Sequence, residues 1–161
     1  MEHVGPIPTA RRVHHTANRL VVNRIVRAIL RSPFHRVLSS HVLVLTFSGR
    51  STGRVYALPL VYVGDNAAIY CCTQRTVTRW WKNLRGSPQV RVHLRGEERE
   101  GTAEIVEDLD EKLDPLTKWL KKSRPVQKTY GVSSRPDGEL DPDQVRVAAE
   151  NAIVIRIRLS A

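Results

Sequence analysis

The sequence is poor in cysteine and in long apolar runs. Its two cysteines, Cys71 and Cys72, are adjacent, so they can neither close a long disulfide loop nor supply a four-ligand zinc site. A reducing compartment is the simplest setting for such a pair. No run of about eighteen apolar residues occurs, so we expect no transmembrane helix. The first nine residues contain two prolines and no secretory pattern, so we expect a cytoplasmic protein.

Three common site signatures are also absent from the sequence. Neither a GxGxxG fingerprint nor a P-loop occurs, which disfavours an ordinary nicotinamide dinucleotide site. The histidines show neither HxxxH nor HExxH spacing. We therefore predict no metal site.

Acidic residues are scarce relative to basic ones. The 161 residues include 26 Lys and Arg against 16 Asp and Glu, which gives a net charge of +10. A basic chain favours anionic partners, namely a phosphate-bearing cofactor, nucleic acid or an acidic membrane surface. The charge alone does not choose among these three.

The N-terminal part has helical periodicity from about residue 9 to residue 31. Seven arginines precede His41 against the single acid Glu2, so this helix is basic as well as amphipathic. The preferred interpretation is that its apolar face packs on the domain or on a second subunit. The alternative is peripheral contact with an anionic membrane. We assign residues 1–36 to an N-terminal helical extension and residues 37–161 to one domain.

The rest of the chain alternates with the period of β-strands. Pro59 within the second strand must lie at a bulge or at an unpaired edge. Strands are predicted at residues 41–48, 55–63, 67–73, 89–95, 100–106 and 152–159, and helices at 76–85 and 108–122. Residues 124–142 are left as a loop. Mostly hairpin connections predict a mainly β, α+β fold: an antiparallel barrel of about six strands with the N-terminal amphipathic helix and two further helices.

The most informative segment is the turn between the first two strands, residues 49–54. Two glycines allow a sharp turn that exposes backbone N–H groups, two hydroxyls can donate, and two arginines can clamp phosphate. These residues are Gly49, Arg50, Ser51, Thr52, Gly53 and Arg54. The same composition is also ordinary for a solvated hairpin turn, and that alternative stays open here.

A second motif, RWWKNLRGSP at residues 79–88, makes a family resemblance specific. A GR-x-[ST]-G turn with a Pro-Leu strand, followed by an aromatic pair with Asn-Leu and a proline, resembles the deazaflavin (F420)-dependent nitroreductase and quinone reductase family. The match runs from about residue 42 to residue 106. The resemblance implies a split β-barrel, F420 as the expected cofactor, and FMN or FAD as alternatives.

The resemblance also implies roles for individual residues. Gly49, Arg50, Thr52 and Gly53 match the turn around the cofactor's phosphate and tail, and Pro59 matches a proline beside the deazaflavin ring. The remaining cofactor positions are Thr73, Gln74 and Arg75 near the phosphate, and Trp80, Trp81 and Asn83 in the aromatic helix. Tyr130 is the candidate catalytic proton donor, because relatives use tyrosines in this part of the chain.

Some positions depart from the family pattern or have a simpler interpretation. Ser51 and Tyr56 stand where the family usually has cations, and Arg54, Arg75 and Arg79 are the candidates to restore that charge. Adjacent helical residues point about 100° apart, so Trp80 and Trp81 are not expected to face one ligand. Either tryptophan alone is more typical of a core or dimer-interface anchor.

Three functions follow, in order of preference. The first is an oxidoreductase that transfers a hydride from F420, or FMN, to a quinone, nitroaromatic or other conjugated small-molecule acceptor. The second is a carrier of a fatty acid or haem on the same fold. The third is nucleic-acid binding through outward arginines, although we expect no nucleic acid as a partner. These arginines are Arg91, Arg95, Arg156 and Arg158. The resemblance also implies a homodimer.

Overall fold

A computed structural model describes residues 23–25, 27–28, 41–64 and 67–160 of the chain. The described part contains a closed, six-stranded antiparallel barrel with helices packed outside it, which confirms the predicted α+β barrel. The strands are β1 (Val42–Ser48), β2 (Val55–Gly64), β3 (Ile69–Gln74), β4 (Gln89–Leu94), β5 (Glu97–Val106) and β6 (Ala152–Leu159). Their order around the barrel is β1-β2-β3-β6-β5-β4.

The pairing between β2 and β3 is short. β1 and β2 pair over their whole common length, from Val42 opposite Val61 to Ser48 opposite Val55. β2 and β3 pair only between Tyr62–Gly64 and Ile69–Cys71. Beyond that point no residue pair joins the first part of β2 to the end of β3, and we call this unpaired stretch the gap.

Pro59 lies on the β2 side of this gap. It is opposite Val44 of β1 and outside the three residue pairs that join β2 to β3. Proline has no N–H to donate, so a strand edge without a paired neighbour accommodates it. Of the two placements predicted for Pro59, the structure has the unpaired edge.

The β4–β5 hairpin is tighter than predicted. Leu94 pairs with Glu97, so the turn consists of Arg95 and Gly96 alone. Both have positive φ, 51° and 88°, as in the two-residue turns that match the twist of paired strands. β5 therefore begins at Glu97, earlier than the predicted residue 100. The predicted inward face of β4 is confirmed, because Val90, Val92 and Leu94 are buried.

The helices differ from the prediction in two places. The predicted helix at 76–85 is a 3-10 helix of five residues, Trp80–Leu84. Helix α1 (Leu109–Leu120) agrees with prediction, and Asp108 caps it by accepting a hydrogen bond from Glu111 N at 2.9 Å. The chain between α1 and β6 contains two helices that were not predicted, α2 (Arg124–Thr129) and α3 (Pro142–Asn151). Both carry a proline in the first turn, where a helix tolerates it.

Two apolar clusters hold the fold together. One fills the barrel with side chains from the strands and the 3-10 helix, and the other lies between the outer face of the sheet and helices α1 and α3. β6 supplies both, because Ile153, Val154 and Ile155 are each at most 1% exposed and alternate between its two faces. The strand is thus anchored on both sides.

The N-terminal prediction lies mostly outside the described residues. Residues 23–25 and 27–28 are helical, as predicted, but the remainder of the predicted helix and the boundary at residue 36 are outside the described part. Among the described helices, none has both the length and the apolar character needed to cross a membrane.

Candidate functional site

The β1–β2 turn is closed by its own backbone. Gly49 N donates to Arg54 O at 2.7 Å, and Gly53 N donates to Gly49 O at 2.8 Å. The turn was predicted to expose backbone N–H groups, and four of its N–H groups have partners: those of both glycines bond within the turn, Arg50 N donates to Asn83 Oδ1 and Arg54 N to Thr52 Oγ1. Side chains remain for ligand binding: Arg50, Ser51, Thr52 and Arg54 are all exposed.

Geometry favours glycine at both positions of the turn, for different reasons. A Cβ on Gly49 would lie 2.9 Å from Thr52 Oγ1 and 3.0 Å from Tyr56 Cε2, closer than ordinary packing allows. Gly53 has space around it but adopts a φ of +65°, a region that disfavours side chains. The shape of the turn thus depends on glycine at positions 49 and 53.

Asn83 ties this turn to the 3-10 helix. Its Oδ1 accepts a hydrogen bond from Arg50 N at 3.1 Å, and its Nδ2 donates to Trp80 O at 3.0 Å. The side chain thereby connects two segments that are 33 positions apart in the sequence. Asn83 fixes the position of the turn, and so of the Arg50 and Arg54 side chains.

Aromatic rings line the region beside the turn. Phe47 stacks on Tyr56 with ring centroids 5.7 Å apart, and Trp80 packs on Phe47 at 5.9 Å. The Arg54 guanidinium lies over the Tyr56 ring, 5.9 Å from its centroid. Arg54 thereby places a cation near position 56, where the family usually has one and this chain has tyrosine. Trp81 points elsewhere: it is 4% exposed in the barrel core, and its Nε1 donates to Thr78 O at 2.9 Å.

Six cations surround the turn and the 3-10 helix without a described acidic partner. Three of them lie around the Trp81 ring, at 5.4 to 5.9 Å from its centroid. We call the set the cation cluster: Arg50, Arg54, Arg75, Arg79, Lys82 and Arg85. Within the described part of the chain, no ion pair joins any of them to an acid. Uncompensated charge of one sign attracts anions.

An open cleft of about 210 Å³ lies at the end of β3. It contains the predicted residues Thr73, Gln74 and Tyr130, which the fold brings together from two distant segments. Its lining is mostly apolar and aromatic: Cys72, Thr73, Gln74, Val77, Trp119, Val126, Thr129 and Tyr130. Gln74 Nε2 donates to Thr129 O at 3.0 Å and so joins β3 to helix α2.

Tyr130 forms one wall of the cleft. Its ring meets Trp119 edge-on at 5.7 Å, and Trp119 Nε1 is held by Val61 O at 3.1 Å. Burial raises the pKa of the Tyr130 phenol above its ordinary value, and the neighbouring Cys72 raises it further. The phenol therefore keeps its proton throughout the physiological pH range.

The two adjacent cysteines are poorly placed for redox chemistry. Both are buried, Cys71 fully and Cys72 at 7% exposed. Burial raises the pKa of Cys71 to about 12, and burial also raises the pKa of Cys72. Thiols in this state are poor nucleophiles.

The turn and the cleft lie on either side of one segment, residues 78–83. On the cleft side, the Thr73 and Thr78 hydroxyls are 2.9 Å apart. On the turn side, Asn83 holds Arg50 N. This segment therefore joins the predicted anion-binding residues to the cleft through hydrogen bonds.

The sequence prediction missed several residues of this region. Phe47 and Trp119 were not singled out, nor were Lys82 and Arg85 of the cation cluster. Phe47 could have been noticed as an aromatic residue two positions before the turn. Trp119 could not, because its role depends on how helix α1 packs against β2 and α2.

Comparison with known proteins is consistent with this architecture. A conserved hypothetical protein of Mycobacterium tuberculosis has a TM-score of 0.56 at 19% identity, over 78% of this chain and 76% of that one. A protein related to general stress protein 26 from Clostridium acetobutylicum has a TM-score of 0.51 at 15% identity, over 83% and 84%. A proposed 5-nitroimidazole antibiotic resistance protein of Bacteroides thetaiotaomicron has a TM-score of 0.50 at 14% identity, over 86% and 80%. At these identities the likeness shows the fold alone.

The family assignment comes from sequence. No curated protein matches the chain. The sequence profile of the F420H(2)-dependent quinone reductase family matches residues 17–136, which is well over half of the chain and includes the turn, the 3-10 helix and Tyr130. The chain belongs to the F420H(2)-dependent quinone reductase family, a family of oxidoreductases.

Proposed function

We propose that this protein is an oxidoreductase that binds F420 and transfers a hydride to a quinone or another conjugated small-molecule acceptor. The observation that carries the proposal is the cation cluster beside an apolar cleft. The cation cluster suits the anionic end of a cofactor, and the apolar cleft suits a flat, apolar acceptor. The family assignment supports the same reaction class.

The residues present fit a cofactor that has an anionic tail and a ring. Six cations lack a described acidic partner, and the ordered turn between β1 and β2 presents two of them, Arg50 and Arg54. Because the turn's glycine N–H groups are already used, we assign phosphate binding to side chains. Guanidinium groups bind phosphate oxygens in forked geometry. FMN and FAD also carry phosphate and remain the alternatives.

Each part of the site has a separate task in this mechanism. Arg50 and Arg54 hold the anionic end, and Asn83 keeps their turn in place. Pro59, on the unpaired edge of β2, leaves that edge without one N–H donor and gives a ring an apolar surface. When bound, reduced F420 supplies a hydride to the acceptor. The protein's own contribution is orientation and exclusion of water.

Tyr130 is the proposed proton donor to the reduced acceptor. The phenol is protonated at physiological pH, so a proton is available at the oxygen atom when negative charge develops on a quinone carbonyl. Trp119 fixes the ring by edge contact. The apolar lining of the cleft favours a flat ring system over a charged substrate.

The test is cofactor binding by purified protein, followed by fluorescence with F420, FMN and FAD separately. We expect F420 to bind, and we expect Arg50→Ala to weaken binding at least about tenfold, since a charge-assisted hydrogen bond contributes roughly 1.5–3 kcal/mol. Trp80→Ala tests whether the aromatic rings beside the turn contribute to cofactor binding. Arg95→Ala is the matched control, because it removes an exposed arginine at the far end of β4. We expect it to bind like wild type.

The outcomes separate the candidate functions. Binding of F420 with loss in Arg50→Ala and not in Arg95→Ala supports the proposal. Equal loss in both variants means that only overall charge is recognised. If none of the three cofactors binds while a fatty acid or haem does, the protein is a carrier on the same fold.

A further inference from the structure

An exposed valine marks the mouth of the cleft. Val77 is 70% exposed, more than any other large hydrophobic side chain among the described residues. It lies in the loop of residues 75–79, between β3 and the 3-10 helix, and it also lines the cleft. Exposed arginines, Arg75 and Arg79, stand two positions to either side. An exposed apolar side chain between two cations is typical of protein surfaces that bind the headgroup layer of a membrane.

The charge around this loop is of one sign. Residues 67–96 contain six cations and no acid, although one of the six, Arg91, pairs with Glu98 and Glu100 of β5. Arg75, Lys82 and Arg85 all lie within 6 Å of the Trp81 ring centroid, so the positive charges gather beside the loop. Such a concentration of charge attracts an anionic surface.

The opposite rim of the cleft is also basic. Helix α2 contributes Val126, Thr129 and the adjoining Tyr130 to the cleft lining. The same helix presents the exposed cations Arg124 and Lys128 and has no acid in its six residues. Neither cation forms an ion pair with a described acid. Cations therefore flank the cleft mouth on both sides, with apolar residues between them.

We propose that this face docks on an anionic lipid bilayer, with Val77 inserted at the boundary between headgroups and acyl chains. The cleft mouth then faces the bilayer, so a lipid-soluble conjugated acceptor can enter without crossing water. This second step rests on the proposed oxidoreductase function, whereas docking itself does not. The residues on which this proposal rests lie outside the N-terminal helix: Arg75, Val77, Arg79, Arg124 and Lys128.

The experiment measures sedimentation of the full chain with vesicles. One set of vesicles contains phosphatidylglycerol, and the other is phosphatidylcholine alone. We expect binding to the anionic vesicles only. Val77→Asp should lower the partition coefficient at least about fivefold, because it removes the apolar tip and adds a charge of the wrong sign. Arg79→Glu should lower it by a similar factor.

The matched controls lie on helix α3. Val147 is 61% exposed, so Val147→Asp makes the same chemical change at a comparable exposure. Arg146→Glu makes the same charge change as Arg79→Glu, and it also breaks the ion pair between Arg146 and Asp110. We expect both controls to bind anionic vesicles like wild type. If Val77→Asp and Val147→Asp bind equally, the proposal is overturned, and binding belongs to another part of the chain.

Two further measurements make the result specific. A double-stranded oligonucleotide that binds more tightly than the vesicles, with no effect of Val77→Asp, would overturn the membrane as the partner. F420 binding is measured on the same variants without vesicles. If the protein docks on vesicles through Val77 but binds no F420, the docking surface is supported and the oxidoreductase role is rejected. If it binds F420 but does not dock, the oxidoreductase role is supported and the docking surface is rejected.

Discussion

Asn83 acts at the scale of a single residue but holds two elements together. Its amide accepts from Arg50 N and donates to Trp80 O. Each hydrogen bond contributes about 1 kcal/mol, and removing both frees the turn that presents Arg50. Loss of the Asn83 side chain is therefore expected to affect ligand binding more than folding, because Asn83 lies outside the two apolar clusters.

We predict that Asn83→Ala weakens F420 binding about tenfold and lowers the free energy of unfolding by about 1–2 kcal/mol. Fluorescence titration and urea unfolding measure the two effects. Gln89→Ala is the control, since Gln89 also makes a side-chain amide hydrogen bond, to Thr102 Oγ1 at 3.2 Å, but on a strand away from the turn. Unchanged F420 affinity in Asn83→Ala would show that the turn keeps its position without this tie.

Tyr130 gives a prediction about pH. The raised pKa means that its neutral form is stabilised by the fold, so the stabilisation is complete below the ordinary phenol pKa and is lost only as pH rises through the higher folded value. Between pH 7 and pH 10 the proton stays on the oxygen. We predict that Tyr130→Phe lowers kcat about 100-fold and by the same factor across this range.

The matched control for Tyr130→Phe is Tyr70→Phe. Tyr70 lies in β3 outside the cleft lining, and we expect its variant to keep the wild-type kcat. F420 affinity should stay constant in both variants, because neither phenol belongs to the cation cluster. A wild-type kcat in Tyr130→Phe would remove Tyr130 from the mechanism.

Helix α1 docks on the barrel with a buried amine. Lys112 is 4% exposed, and its Nζ donates to Ala152 O at the long distance of 3.4 Å. Burial lowers the pKa of Lys112, and Arg75 lowers it further, against an opposing effect of Glu107. The folded state therefore carries a penalty for the charged amine that is full below the folded pKa and fades as pH rises through it.

We predict that Lys112→Met raises the free energy of unfolding by about 1 kcal/mol at pH 7, because it replaces the amine with an apolar group of similar length. The gain over wild type should shrink as pH rises towards the ordinary lysine pKa. Urea unfolding of both proteins at pH 7 and pH 9.5 measures this. A loss of stability at both pH values would show that the hydrogen bond to Ala152 outweighs the burial of charge.

At the scale of the whole molecule, charge is divided unevenly along the chain. Only Glu2 and Asp65 precede residue 97, so fourteen of the sixteen acids lie in the C-terminal part. There they pair locally, as Glu104 does with Arg156 and Arg158. Arg91 pairs with Glu98 and Glu100 in the same way. The cation cluster has no such partner among the described residues, so the face that carries the candidate site is the positive one.

The homodimer stays a prediction at this scale. The resemblance implies it, and we expect sedimentation equilibrium of the full chain to give twice the monomer mass of 18.3 kDa. Sedimentation in about 0.5 M NaCl is the control, because salt weakens contacts between charges much more than apolar contacts. A monomer at both salt concentrations and at high protein concentration would contradict the prediction.

Local patterns determined most of the barrel from sequence. Strand periodicity located all six strands, since alternation of apolar residues is a property of neighbouring positions. Gly49 and Gly53 marked the turn because their backbone geometry is local. Helix α2 was missed because proline and glycine punctuation in residues 124–142 outweighed a helix of six residues. Helix α3 lies almost entirely in residues 143–151, to which no element was assigned.

Amino-acid sequence by itself determined the barrel class, the basic character and the family to which the chain belongs. Tertiary structure alone decided what shares a site: the gap between β2 and β3, the tie from Asn83 to Arg50, and the cleft that joins Thr73 to Tyr130 and Trp119. These contacts connect residues tens of positions apart, and their existence depends on how helices pack on the barrel. No local pattern encodes such distances.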